Sequence, residues 1–351
     1  MTQDTAQFTH KFTGEDKEYI AEKEAEACLE FLSGFLDEGE YDKCIEGGKR
    51  SLEHFKGDNE TAVAIHLLVG FANVEKAKKT KNEIEANECL ISAMGNFERV
   101  IQATYECEKA FHFLLLIACN LKRYDYINGL IRNYGKYLPA QTLARALNDM
   151  PEAEAVNCAE AYKTAISKEP AKAFAKRILI ITSLIAEKYS ALAELYCREA
   201  LKRDEDNKDV LIALGGSLFL QGKYNDALAI FNKILIMDPK DSEVLLMKAN
   251  TVSVVCSKRI AEGNISENGL RILRGQMFDT LNDLDAIQNR KMNSNTKIRY
   301  NNTKKRLACL RDGIMEALEQ REKYMLVNAQ IGIGAEAGQH AANPAKTKTK
   351  I

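Results

Sequence analysis

Five histidines, nine cysteines and fifty acidic side chains are the residues of this 351-residue chain that could do chemistry. Their spacing decides whether they do. The histidines (His10, His54, His66, His112, His340) form no HExxH pair and no other short-range ligand spacing, so no metal site is expected. His112 lies among Phe111, Phe113 and Leu114, which suits a core or groove position better than a ligand. The cysteines (Cys28, Cys44, Cys89, Cys107, Cys119, Cys158, Cys197, Cys256, Cys309) lie far apart without a CxxC pair, mostly on apolar helical patterns. There a thiol acts as a small hydrophobe, and an odd, scattered set reads as reduced and cytoplasmic. Gly47-Gly48-Lys49 fails as a phosphate loop, because Arg50 follows and Lys43 stands where the first glycine belongs. Gly332-Ile333-Gly334 lacks the strand that a dinucleotide fingerprint requires. The carboxylates are spread over helical surface, so no acid–base pair stands out. No catalytic residue and no cofactor are expected, and the chain reads as something other than an enzyme.

The elements behind these side chains are helical. Apolar residues make up 46% and charged residues 28%, which places the chain among folded proteins. Only five prolines occur, Trp is absent and aromatics reach 7%, so the core must be largely aliphatic. The formal net charge of −1 gives no global field for nucleic acid. The longest apolar stretch, 111–119, is too short to cross a bilayer, and residues 1–19 have no apolar leader region.

Periodicity is clearest over 208–241. Leu211, Leu214 and Leu218 recur at helical spacing, and Gly222-Lys223 then breaks the pattern. Ala227, Ile230, Phe231, Ile234 and Leu235 form a second run, stopped by Asp238-Pro239. Two helices joined by a tight turn make an αα-hairpin. Gly215 and Ala227 are small enough for close approach, with Phe231 filling the space above them. Similar endings occur at Pro139, Pro170 and Glu205, which with Pro239 are 31, 35 and 34 residues apart. Leu114, Tyr124, Ile127 and Ile131 fit an earlier copy, and Phe31-Leu32, Gly39-Glu40-Tyr41, Cys44 and Leu52 a degenerate first one. Residues 60–79 and 82–104 read as a longer helix pair, and 242–260 and 266–289 as a later one.

With Leu214-Gly215, Gly222-Lys223-Tyr224, Ala227, Phe231 and Pro239 in place, this segment resembles a tetratricopeptide repeat; only Ile234 departs from the small residue expected there. The resemblance implies an all-α, right-handed solenoid of about six helix hairpins with a C-terminal capping helix, in which hairpins stack because one alone cannot bury its apolar face. The chain is then expected to divide into a flexible N-terminus (1–14), a repeat array (15–290), a capping helix with a basic start (291–328) and, from its Gly, Pro and alternating Lys-Thr, a disordered tail (329–351). The resemblance also implies a protein-binding scaffold or adaptor whose first helices line a concave groove. Carried onto this sequence, the groove positions are Lys109, His112, Leu116 and Asn120; Ile178, Thr182 and Ile185; Asp209, Ile212, Gly216, Phe219 and Leu220; and Glu243, Leu246, Met247, Asn250 and Val254. Some members hold a terminal carboxylate with Lys, Asn and Arg at such places; Ile178, Thr182, Ile212 and Gly216 occupy the central ones here. The expected partner is therefore an apolar helix or extended peptide, unless the chain itself fills the groove.

Two charge blocks complete the reading. Residues 15–42 carry eleven Asp/Glu against two Lys, and 290–311 carry eight Lys/Arg and no acid. Lys297, Lys304 and Arg311 recur every seven residues beside Lys305 and Arg306. The blocks are either solvated end faces, partners in head-to-tail self-association, or, for the basic one, an RNA phosphate strip. Nucleic acid is the weaker alternative, since Tyr300 is the sole aromatic available for base stacking.

Overall fold

The computed structural model describes residues 14–263, 265–287 and 294–341, with side chains described between 22 and 323. Residues 1–13 and 342–351, most of the expected flexible start and the end of the expected tail, lie outside the described residues, as do Arg290 and Lys291. The described residues contain fifteen α-helices and no strand, an all-α helical-repeat fold. They divide into two compact units, up to Lys188 and from Tyr189 onward.

The first unit holds α1 (Gly14–Asp37), α2 (Tyr41–His54), α3 (Asn59–Lys79), α4 (Glu83–Ala103), α5 (Glu108–Asn120), α6 (Tyr124–Tyr134), α7 (Ala140–Asp149), α8 (Glu152–Ala165) and α9 (Ala171–Ile185). Helices α1 to α3 pack on one another over Leu32, Cys44, Ile65, Val69 and Ala72. Helix α3 pairs with α4, and α4 hands on to α5. From there first helices α5, α7 and α9 form one row and second helices α6 and α8 another.

The second unit holds α10 (Ser190–Leu201), α11 (Lys208–Leu220), α12 (Tyr224–Met237), α13 (Ser242–Ala261), α14 (Glu267–Asp285) and α15 (Ser294–Ala341). Each of α10 to α14 packs on the next. Helix α15 lies on both α13 and α14, where the first helix of a further hairpin would stack, and so caps the array. Tyr300, Leu307 and Ile314, seven residues apart, supply its buried seam together with Thr303 and Leu318. It runs to Ala341, so 329–341, expected as tail, is helical.

Local chemistry explains the turns. Gly39 (φ 76°) and Gly222 (φ 75°) take the left-handed conformation after a first helix, and the next residue's amide reaches back, Glu40 to the carbonyl of Phe35 (2.8 Å) and Lys223 to that of Leu218 (2.9 Å). Lys122 (φ 55°) does the same between α5 and α6, where Arg123 donates to Ala118 (2.8 Å). Pro139, Pro151 and Pro170 each sit immediately before a helix, a place that needs no donor. Asp58, Asn82, Asn207, Asp241 and Ser266 cap the free amides of α3, α4, α11, α13 and α14.

Close helix contacts are made by Gly against Phe. A Cβ on Gly215 would lie 2.4 Å from Cε1 of Phe231, and one on Gly70 would lie 2.7 Å from Cε1 of Phe97. The first pair joins α11 to α12 and the second joins α3 to α4, which marks the longer pair as the same kind of hairpin. Arg177 on α9 ties the start of α7 in place. It donates to the carbonyls of Lys136 (2.8 Å) and Leu138 (3.0 Å) and to the Tyr162 hydroxyl (2.8 Å), and pairs with Glu169 at 3.1 Å.

Candidate binding surfaces

In the first unit the row of first helices carries a cleft of about 330 Å³ between α5 and α7. Its walls are His112, Leu115 and Leu116 from α5, facing Thr142, Arg145, Ala146, Asn148 and Asp149 from α7. Lys109 and Asn120 are exposed on the same side of α5, and Leu116 is 45% exposed. Two hydrogen bonds set the helix spacing. The Cys119 thiol donates to the carbonyl of Ala146 (3.8 Å), and the Asn148 amide to that of Leu184 on α9 (2.9 Å). The Asn148 side-chain oxygen is buried without a hydrogen-bond partner among the described residues.

Sequence reasoning passed over α7 altogether, because its hairpin has no Gly-x-Tyr turn and is only 31 residues long between its flanking prolines. The same compression misplaced the face of α9. Ile178 (0% exposed), Thr182 (1%) and Ile185 are buried, so they line no groove. Pro170 caps α9, which begins at Ala171, whereas taking Ile178, Thr182 and Ile185 as groove positions assumes a repeat unit that starts at 174. A shift of two or three residues turns a helix face by about 200–300°. The outward positions are Lys176, Ile180 and Leu184.

In the second unit the register fits α11. Ile212, Gly216 and Phe219 are half-buried, Leu220 is 50% exposed, and a Cβ on Gly216 would meet nothing within 4 Å. Phe219 packs edge-on to Tyr224 (5.4 Å), and the Lys258 ammonium of α13 lies 4.7 Å above the Tyr224 ring. On α13, Met247, Asn250 and Val254 remain half-buried, with Glu243 exposed at its start. Leu246, expected beside them, is 2% exposed and belongs to the core cluster that includes Ala249, Leu273, Met277, Tyr300 and Leu307.

The basic strip is sorted by the packing of α15. Lys304 turns toward α14 and pairs with Asp285 (2.5 Å), and Arg311 pairs with its neighbour Asp312 (2.7 Å). Arg306 turns the other way and donates from Nη2 to the Asn250 side-chain oxygen (2.9 Å). Lys297, Arg299 and Lys305 are exposed. The strip and the groove, expected as separate features, therefore meet at Arg306 and Asn250. At the other end of the chain, Glu22, Glu24, Glu26 and Glu30 lie exposed on α1.

The buried thiols are inert by environment. Burial pushes Cys44 and Cys256 up to about 11 and Cys119 and Cys158 up to about 12. No helix among the described residues is long and apolar enough to cross a membrane.

Stacked helix pairs with open first-helix faces define a helical-repeat protein. Residues 184–251 match the tetratricopeptide repeat family, the stretch that holds Leu214-Gly215, Gly222-Lys223-Tyr224, Ala227, Phe231 and Pro239. No curated protein matches the chain. Solved structures similar to it include a tetratricopeptide repeat protein from Parabacteroides merdae, at 12% identity and TM-score 0.31 over 82% of this chain and 99% of that one. Another is the TPR2AB-domain:pHSP90 complex of yeast Sti1, at 16% identity and TM-score 0.24 over 82% of this chain and 99% of that one.

Proposed function

We propose that the chain is a cytoplasmic adaptor that holds a partner peptide or helix against the outward faces of its first helices. The observation that carries this is the stripe Ile212, Gly216, Phe219 and Leu220 on α11, which exposes apolar surface where a solvated helix face would be polar. In the first unit the cleft of His112, Leu116, Arg145 and Asn148 offers a more polar counterpart. An RNA-binding role for the basic segment has less to support it, since Lys304 and Arg311 are paired with Asp285 and Asp312 and Tyr300, the one aromatic that could stack on a base, is buried.

The test uses a photo-crosslinker placed at Leu220 in the full-length chain. Crosslinked protein should be lost on Phe219→Glu while the helical circular dichroism stays unchanged. Crosslinking that survives Phe219→Glu, or salt-sensitive retention of RNA in place of protein, would defeat the reading.

A further inference from the structure

We infer that Arg306 is a carboxylate anchor at one edge of the second unit's groove, so that the groove selects peptides pairing a large apolar residue with an acidic one. The inference rests on the reading of α11 as a peptide surface. It begins from the charge of Arg306. The guanidinium is exposed, and among the described residues its one hydrogen bond goes to a neutral amide, Asn250, with no carboxylate paired to it. Lys304 and Arg311, on the same helix, both have acidic partners. A guanidinium steered by an amide keeps further N–H groups free for a planar, two-point contact with a carboxylate.

Place in the fold supplies the rest. Asn250 stands on α13 between Met247 and Val254, one helix face at i, i+3 and i+7. It occupies the same repeat position as Gly216 on α11, 34 residues earlier. Helices α11, α13 and α15 follow one another as first helices, α11 against α13 and α13 against α15. The surface therefore runs from an apolar edge on α11, across half-buried Met247, Asn250 and Val254, to a cationic edge on α15. Arg299, seven residues before Arg306, extends that edge. The exposed acids of this surface, Asp209 and Glu243, lie in the first turns of α11 and α13, about two turns from Gly216 and Asn250.

The spacing can be stated. Packed helix axes lie about 8–10 Å apart, so two steps from α11 to α15 cover about 16–20 Å. An extended peptide advances about 3.3 Å per residue. The apolar and acidic residues of a bound peptide should then be separated by about five or six positions.

Random dodecapeptides displayed on phage and selected against the full-length chain test this. Enriched sequences should pair Phe, Leu, Ile or Met with Asp or Glu five or six positions away. Selection against Arg306→Gln should lose the acid preference while keeping the apolar one, and Phe219→Glu should lose the apolar one. Both substitutions sit on outward faces, and an unchanged melting curve confirms folding. Enrichment without an acid, an acid preference that survives Arg306→Gln, or no enrichment at all would overturn the inference. Crosslinking from Leu220 separately decides whether the groove reading falls with it. Self-association that disappears in Arg306→Gln would also overturn it, by making a second copy the occupant.

Discussion

Replacing Gly215 with alanine adds one methyl group where α11 meets α12. The new Cβ would stand 2.4, 2.9 and 3.0 Å from three ring atoms of Phe231. An ordinary contact needs about 3.5 Å or more, so ring or helix must retreat by about 1 Å. Phe231 is 1% exposed and has nowhere open to go. Overpacking of this kind costs about 1–3 kcal/mol, against about 1 kcal/mol returned because alanine suits a helix interior better than glycine. Taking the upper part of the range, since the clash is with ring atoms, the net loss is about 1–2 kcal/mol. The next residue is the internal control. A Cβ on Gly216 meets nothing within 4 Å, so Gly216→Ala keeps the helix gain of up to about 1 kcal/mol without the clash. Thermal melts followed by far-UV circular dichroism should move down by about 2–8 °C for the first variant and up by about 2–4 °C for the second. Adding Phe231→Leu should restore part of the loss in Gly215→Ala. If both glycine variants shift in the same direction, the contact assigned to this hairpin is wrong.

Leu246→Glu should unfold the second unit, because the side chain is core, whereas Phe219→Glu should leave helicity intact; equal helicity in the two would contradict the burial described. Lys122→Gly should raise the melting temperature, since it removes a left-handed strain of about 1 kcal/mol at φ 55°; no change or a drop would refute that. Glu194 is desolvated by burial, which raises its pKa, but hydrogen bonds from Lys223, Arg198 and Gln221 outweigh this and hold it down to about 2. Its stabilisation is then fully present above the ordinary value of 4.5 and is lost as pH falls toward 2, so the deficit of Glu194→Gln, about 2 kcal/mol at neutral pH, should vanish in acid urea titrations. Iodoacetamide at pH 8 should label exposed Cys309 well before Cys119 or Cys158, as read by peptide mass spectrometry; rapid labelling of either buried thiol would count against the packing.

What was legible in the sequence was whatever a single residue type enforces. Gly222-Lys223-Tyr224 announces its turn because only glycine takes φ 75° cheaply, and Gly215 with Phe231 announces a close crossing. The helix pair expected over 60–79 and 82–104 runs from 59 to 79 and from 83 to 103. Where the marker residue is replaced, the signal disappears while the geometry persists. Lys122 adopts the glycine turn without being glycine, and Gly70 meets Phe97 across helices too long for the standard spacing. Groove residues were harder still. Their identification depends on helix phase, and the short α7–α8 hairpin displaced the phase in α9, sending Ile178 and Thr182 into the core. The meeting of Arg306 with Asn250 spans 56 residues and follows no repeat, so only the packing of α15 discloses it.

The seat taken by α15 has a consequence for how the protein could be lengthened. Because this helix already covers the stacking surface of α13 and α14, a further hairpin fused after it would find no template. Growth by duplication has to happen inside the chain. The segment 208–241 is one complete period, bounded by Asn207 and Asp241, both of which cap the helix that follows. A second copy inserted after Asp241 would start on the cap that Asp241 already provides, end on a new copy of that cap, and leave α13, α14 and α15 to close the enlarged stack unchanged.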